Sequence, residues 1–188
     1  MSSKQLVVLS APSGAGKTTV AKHLLATFPS LRFSVSATTR EQRPGEVNGR
    51  DYFFLTKEDF NRKIEQNDLL EYEEIFGNLY GTLRSEIRKS IDNGEVTIFD
   101  VDVKGALSLR NAFPDETLLL FIAPPSLEAL EQRLQNRHTE TPGQIALRLE
   151  RATMEMQSAP LFDFVIVNDN LDDTLHEAKT IVGNIMNY

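Results

Sequence analysis

The stretch Leu6-Val7-Val8-Leu9-Ser10-Ala11-Pro12-Ser13-Gly14-Ala15-Gly16-Lys17-Thr18-Thr19 decides the fold. Gln5 to Ser10 is a short apolar, β-branched run, the pattern of a fully buried strand. Lys17 to Phe28 carries Val20, Leu24, Leu25 and Phe28 at helical spacing, and Pro29 closes it. The loop between them has the layout GxxxxGK[ST], with Ala11 where the first glycine is expected. Glycines let backbone N–H groups curl inward around phosphate oxygens, and the helix N-terminus adds partial positive charge. In that geometry Lys17 reaches the β- and γ-phosphates and the Thr18 hydroxyl ligates Mg²⁺. The residues expected to hold a nucleoside triphosphate are therefore Ala11, Pro12, Ser13, Gly14, Ala15, Gly16, Lys17, Thr18 and Thr19. A plain glycine turn would not require strand, loop, Gly-Lys-Thr and helix to agree in order. A dinucleotide loop is the weaker reading, because Gly14-x-Gly16-x-x-Thr19 lacks the third glycine that lets helix and strand pack closely. Ala11 requires a negative φ at its position.

Working outward, the same unit recurs. Val96 to Asp100, Leu118 to Ala123 and Phe164 to Val167 read as further buried strands, each followed by a helical stretch. Leu171, Leu175, Ala178, Val182 and Ile185 form an apolar stripe at the C-terminal end. Repeated strand–helix units imply an α/β fold, a three-layer arrangement with a parallel core sheet and helices on both faces. Residues 33–83 break the pattern with short strands at Phe33 to Thr39, Tyr52 to Leu55 and Leu70 to Ile75, and a Gly77-Asn78 turn. Thr56 to Asp59 is a helix-capping signal. This segment is expected to be an inserted lobe with a mixed or antiparallel sheet, and 126–158 a second, helical, arginine-rich insertion. The expected division is a core of about 1–32, 84–125 and 159–188, a lobe of about 33–83 and a lid of about 126–158.

Composition sets the outer limits. At 188 residues the chain fits one domain that can bury a core without staples. It has no cysteine, which excludes disulfides, thiol nucleophiles and thiolate metal sites. Twenty basic against 27 acidic residues leave a net charge of -7, which argues against nucleic acid or an anionic membrane as the main partner. The longest apolar run, Leu118 to Ala123, is far short of the roughly 20 residues of a membrane span. Leu6 to Leu9 is too short for a secretory segment. The expectation is a soluble, cytoplasmic protein. The pattern selects neither a monomer nor a homo-oligomer.

A second site is written around the lobe. Arg40 and Arg43 stand three apart near a Pro44-Gly45 turn, and Tyr52, Glu71, Tyr80, Gly81 and Thr82 follow. Guanidinium groups bind phosphate bidentately, and a tyrosine hydroxyl adds a directional bond. A carboxylate can pair with the adjacent N1–H and N2–H of guanine, a donor pair that adenine lacks, and a Ser or Thr hydroxyl can donate to O6. Val96 to Asp100 is an apolar strand ending in a carboxylate, which suits a metal or its water beside a nucleotide. Asp102 lies two residues on, hence on the same face if the strand continues.

At these residues the sequence resembles the guanylate kinase family. The matching stretches are APSGAGKTT (11–19), SVSATTRxxRPGEVNGxDYFF (34–54), GNLYGT (77–82), FDVDVKG (99–105), FIAPPS (121–126), RLxNRxTET (133–141) and VIVND (165–169). The resemblance implies transfer of the γ-phosphate of ATP to GMP, and to dGMP, in purine nucleotide metabolism, with Mg²⁺ accompanying ATP. It places the GMP phosphate on Arg40, Arg43, Tyr52 and Tyr80. It places the guanine on Ser36, Glu71, Thr82 and Asp102, with Gly81 beside them. Asp100 is expected near the metal, directly or through water, and near the GMP; how Asp100 and Asp102 divide these tasks stays open. Arg133, Arg137 and Arg148 are the implied lid residues closing over the ATP phosphates, with Arg151 left structural, and Asn168 is implied near adenine. Lys17, Arg40, Arg133, Arg137 and Arg148 are the expected catalytic set. Two other classes are weighed: a non-catalytic scaffold domain that binds phosphopeptides, whose phosphate loop is usually degraded, and another small P-loop phosphotransferase.

Overall fold

The computed structural model describes residues 4–136 and 141–186. Five parallel strands make the core sheet: β1 (Leu6–Ser10), β2 (Arg32–Phe33), β7 (Thr97–Asp100), β8 (Thr117–Ala123) and β9 (Phe164–Val167), in the spatial order β2-β7-β1-β8-β9. β1 is central and every one of its residues is buried. Its side chains alternate between two cores, as the pleat requires. Val7 and Leu9 pack with Val20, Leu24 and Phe28, from α1 (Lys17–Thr27) and its C-terminal cap, and with Ala178 and Val182 of α7 (Leu171–Met186). Leu6 and Val8 pack on the other face with Ile87 of α3 (Arg84–Asn93) and with Ala106 and Leu109 of α4 (Val103–Ala112). The three-layer α/β expectation therefore holds. Among the described residues no helix is long and apolar enough to cross a membrane.

The second sheet has the order β4-β3-β6-β5. It comprises β3 (Ala37–Thr38), β4 (Phe53–Phe54), β5 (Leu69–Ile75) and β6 (Asn78–Leu83). β3 and β4 are parallel, and the other pairs are antiparallel, so the sheet is mixed as expected. Its own core is small: Ala37, Phe60, Leu69 and Leu83 are its fully buried members. Phe60 comes from α2 (Lys57–Glu65), capped by Thr56, whose hydroxyl accepts from Asp59 N at 3.0 Å. Two more helices, α5 (Leu127–Gln135) and α6 (Pro142–Gln157), pack through Leu130, Leu134, Ile145 and Ala152.

Three local expectations are corrected. The strand read over Phe33 to Thr39 is two strands in two sheets. Arg32 and Ser34 donate to Val96 O and Ile98 O beside the core strand β7, whereas Ala37 and Thr38 pair with β6. No glycine, proline, asparagine or aspartate stands between Phe33 and Thr39 to mark a break, so the crossover at 34–36 left no turn signal in the sequence. The hairpin turn is Phe76-Gly77 rather than Gly77-Asn78. Both residues have positive φ, 51° and 81°, the geometry of a tight two-residue hairpin turn, and Asn78 already pairs with Ile75. In α7, Leu171 is 44% exposed and drops out of the expected stripe, whereas Leu175, Ala178, Val182 and Ile185 pack on the core together with the buried Thr174 and Gly183.

Candidate active site

The phosphate loop is preformed by its backbone. Gly14 and Gly16 take φ of 99° and 107°, where a side chain would be strained, and Ala11 stays out of that region as required. Gly16 is the N-cap of α1 without any side-chain hydrogen bond, and the first turn holds no acidic residue. No cap or acidic side chain therefore competes there with an anion, although Thr19 N already donates to Gly16 O at 3.0 Å. The loop is braced from below. Asn168 is buried at 6% exposure, and its amide nitrogen donates to Ala15 O at 2.7 Å while its amide oxygen accepts from the Thr174 hydroxyl at 3.2 Å. The side chain expected near adenine therefore lies under the loop and acts on its shape. The cap of α7 is Asn170, which accepts from Asp172 N at 2.8 Å.

Lys17 ion-pairs with Asp100 at the end of β7 and donates to Val101 O at 3.1 Å. Thr18 and Thr19 are exposed at the start of α1. The parallel register that sets Leu9 beside Asp100 is what brings loop and carboxylate together. Asp102 caps α4 instead of extending the strand, its Oδ1 accepting from Gly105 N at 2.8 Å. The two aspartates thus sit on a strand end and a helix cap.

A cleft of about 370 Å³ joins these groups to the second sheet. The loop residues Ala11 to Gly14 and Gly16 to Thr19 line it together with Ser36, Arg43, Tyr52, Glu71, Tyr80, Gly81, Thr82, Asp100, Asp102 and Arg148. Most of the site residues read from the sequence are therefore brought to one cavity. Glu71 is largely buried, and burial, then the neighbouring Asp102 charge, push its carboxyl above the usual carboxylate range, opposed by the Thr82 hydrogen bond. The Thr82 hydroxyl donates to Glu71 Oε1 at 2.7 Å, so Thr82 orients the carboxylate. A Cβ at Gly105 would stand 3.1 Å from Glu71 Cδ and 3.2 Å from Asp102 Oδ1, so glycine there leaves room for both carboxylates. Burial, with the Asp100 charge next, pushes the Tyr52 hydroxyl far up from its ordinary value and keeps it protonated.

Arg40 lies in the wall rather than in the lining of the cleft. Its guanidinium holds both Glu46 carboxylate oxygens, at 2.8 and 3.0 Å, and stands 5.5 and 5.6 Å from the Tyr52 and Phe54 ring centres. The Arg40 hydrogen bond holds the Glu46 carboxyl below its usual range. Arg43 is exposed beside it. Among the implied lid residues, Arg148 donates to the Ser13 hydroxyl of the loop and stands 5.0 Å from the Phe76 ring centre. Arg133 donates to Asn168 O at 2.7 Å, away from the cleft lining. Arg137 lies outside the described residues. Sequence reasoning missed Glu73, Phe76, Arg151 and Glu155, all of which line the cleft. The signal available for Arg151 was its i,i+3 spacing from Arg148, which puts both on one face of α6.

A phosphate loop at the carboxyl ends of a parallel sheet, facing a second polar site across one cleft, defines a P-loop fold with two ligand-binding ends. The sequence model of guanylate kinase matches residues 3–184. The guanylate kinase of Chlorobium luteolum is 49% identical over 182 residues, 97% of this chain and 92% of its own length. That of Salinibacter ruber is 48% identical over 99% of each chain. The crystal structure of guanylate kinase from Anaplasma phagocytophilum superimposes with a TM-score of 0.79 at 33% identity, covering 97% of this chain and 86% of that one. Shikimate kinase from Bacteroides thetaiotaomicron, at 11% identity and a TM-score of 0.50, shares the fold alone. The chain belongs to the guanylate kinase family.

Proposed function

We propose that this chain, an ATP:GMP phosphotransferase by family, carries out the reaction in the cleft described above, giving ADP and GDP. The observation that carries the assignment of residues is one cavity lined at one end by the phosphate loop and at the other by Glu71, Thr82 and Asp102. The core, the lobe of about 33–83 and the lid of about 126–158 then act as ATP platform, acceptor platform and cover.

Two polyanions must meet in line, and positioning and electrostatics do most of that work. The loop N–H groups and Lys17 hold the β- and γ-phosphates. Arg148, already bonded to Ser13, lies where it can neutralise charge on the transferred group, and Arg133 and Arg137 are proposed to join it. At the acceptor end Arg43, Tyr52 and Tyr80 hold the GMP phosphate, and Arg40 reaches it if its guanidinium shares or leaves Glu46. Ionised Glu71 accepts from guanine N1–H and one N2–H, and Asp102 accepts the other N2–H. Ser36 is the hydroxyl left to donate to O6, since Thr82 spends its proton on Glu71. A dianionic GMP phosphate needs no general base. Helices α5 and α6 exclude water and limit ATP hydrolysis. dGMP, altered only at the ribose, serves as a second acceptor.

No cluster of three or more metal-binding side chains occurs among the described residues. A Mg²⁺ ion here would be held chiefly by the nucleotide phosphates and water, as is usual for this ion, with Thr18 and Asp100 as its protein partners. That donor set fits. Bound there, the ion supplies charge neutralisation at the β- and γ-phosphate oxygens. Cytoplasmic action, where ATP and GMP are available, completes the proposal. The test is coupled ADP release with ATP and Mg²⁺, offering GMP, dGMP, AMP, CMP and UMP in parallel. Turnover with GMP and dGMP far above AMP is expected. A folded sample that binds GMP without turnover would favour the phosphopeptide scaffold instead.

A further inference from the structure

We propose that Arg151 is a positioning residue: it fixes Asp102 for reading the guanine 2-amino group and ties that reading to helix α6. The inference rests on the acceptor site proposed above. Arg151 Nη2 donates to Asp102 Oδ2 at 3.1 Å and to Glu73 Oε2 at 3.2 Å, and Nε donates to Glu155 Oε1 at 2.9 Å. One guanidinium thus gathers carboxylates from the α4 cap, from β5 and from α6 itself. These are not solvated surface pairs, which contribute little. The side chains are 25% exposed for Arg151, 13% for Asp102, 26% for Glu73 and 12% for Glu155.

The consequence for Asp102 is orientation. Gly105 N holds its Oδ1 at 2.8 Å and Arg151 holds its Oδ2 at 3.1 Å, so the carboxylate plane cannot turn. Asp102 lines the cleft beside Glu71. The two oxygens of Glu71 are matched by N1–H and one N2–H, so Asp102 is left to answer the second proton of the 2-amino group. Without Arg151, Glu73, Asp102 and Glu155 would repel one another and an incoming phosphate dianion. Arg148, one helical turn earlier on α6, binds the phosphate loop at Ser13. The same helix therefore touches both substrate ends through two arginines.

Inosine monophosphate, which lacks the 2-amino group, gives the readout. Steady-state kinetics with GMP and with inosine monophosphate are compared for the unaltered enzyme, Arg151→Gln and Arg151→Lys, with ATP varied at saturating GMP. The expected result for Arg151→Gln is a KM for GMP raised about tenfold, as for loss of a charged hydrogen bond. The KM for inosine monophosphate and that for ATP should stay within about twofold. The GMP preference then shrinks about tenfold, and Arg151→Lys restores part of it. A drop in kcat shared equally by both acceptors, with the preference unmoved, would overturn the proposal. If Arg151→Gln does not fold, Arg151→Lys carries the same comparison, with Asp102→Asn expected to shrink the preference on its own while Glu71 still reads N1–H and one N2–H. Preference of the unaltered enzyme for GMP over AMP, measured alongside, tests the underlying reading. Its absence overturns both, whereas its presence with an unmoved ratio overturns Arg151 alone.

Discussion

The two ends of the cleft are built in opposite ways. The phosphate loop is a run of consecutive residues whose ligand groups are mostly backbone, set between a fully buried strand and a helix and braced by Asn168 from below. The acceptor end takes single side chains from separate segments, among them Ser36, Arg43, Tyr52, Glu71, Tyr80 and Asp102. It rests on a sheet with four buried apolar residues, against sixteen and twelve in the two cores of the main sheet among the described residues. Backbone recognition suits phosphate, which is alike in every nucleotide. Side-chain recognition suits a base, which must be told from others. The thin core beneath the second sheet leaves it the easier part to move, and closing over two substrates requires such a part.

The contrast can be broken first at Lys17. Lys17→Ala should lower kcat by about 10³-fold, the scale of losing a preorganised charge at the transferred phosphate, while GMP affinity changes less than about threefold. Turnover with a parallel GMP titration checks both. A backbone-built loop also predicts that Gly16→Ala fails for conformational reasons. Its Cβ would need φ near 107° and would collide with the Asn168 amide. Urea unfolding should show a loss of about 2–4 kcal/mol, and Asn168→Ala added to it should cost less than the sum of the two.

At the acceptor end a glycine should act through side chains instead. Gly105→Ala places a methyl against Glu71 and Asp102, so the KM for GMP should rise about tenfold. Helix α4 should meanwhile hold its melting temperature or gain, since alanine favours a helix over glycine by about 1 kcal/mol. The smallest effect is the pH dependence. The proposed reading requires an ionised Glu71, and burial pushes its carboxyl above the ordinary range. On acidification kcat/KM for GMP should fall by one proton at a pH higher than for an exposed glutamate, and Glu71→Gln should remove that step. For stability the sign is the reverse. A raised carboxyl favours the fold below its unfolded pKa, and that contribution is lost as pH rises through the folded value. Glu71→Gln should therefore be no less stable than the unaltered protein at neutral pH.

The same contrast explains what could be read from the chain alone. The loop, the alternating strands and the helices after them were legible because their determinants are local. Phe33 to Thr39 reads as one strand because no turn residue interrupts it, and only tertiary pairing tells the two sheets apart. Phe76 in a left-handed turn goes against the usual preference of bulky residues, so no sequence rule marks it. Arg151 looked like helix surface because its partners Glu73 and Asp102 are 78 and 49 residues away. Asn168 was legible as a site residue through the family resemblance, but its hydrogen bond to Ala15 depends on a contact across 153 residues.

In the proposed reaction one end of the cleft binds ATP through the loop while the other selects guanine through Glu71. Calorimetric titration of Glu71→Gln with GMP and, separately, with a non-hydrolysable ATP analogue tests it most directly. GMP affinity is expected to fall at least about tenfold and ATP-analogue affinity to stay unchanged within about twofold. Undiminished GMP binding, or an equal loss for both ligands, would contradict it.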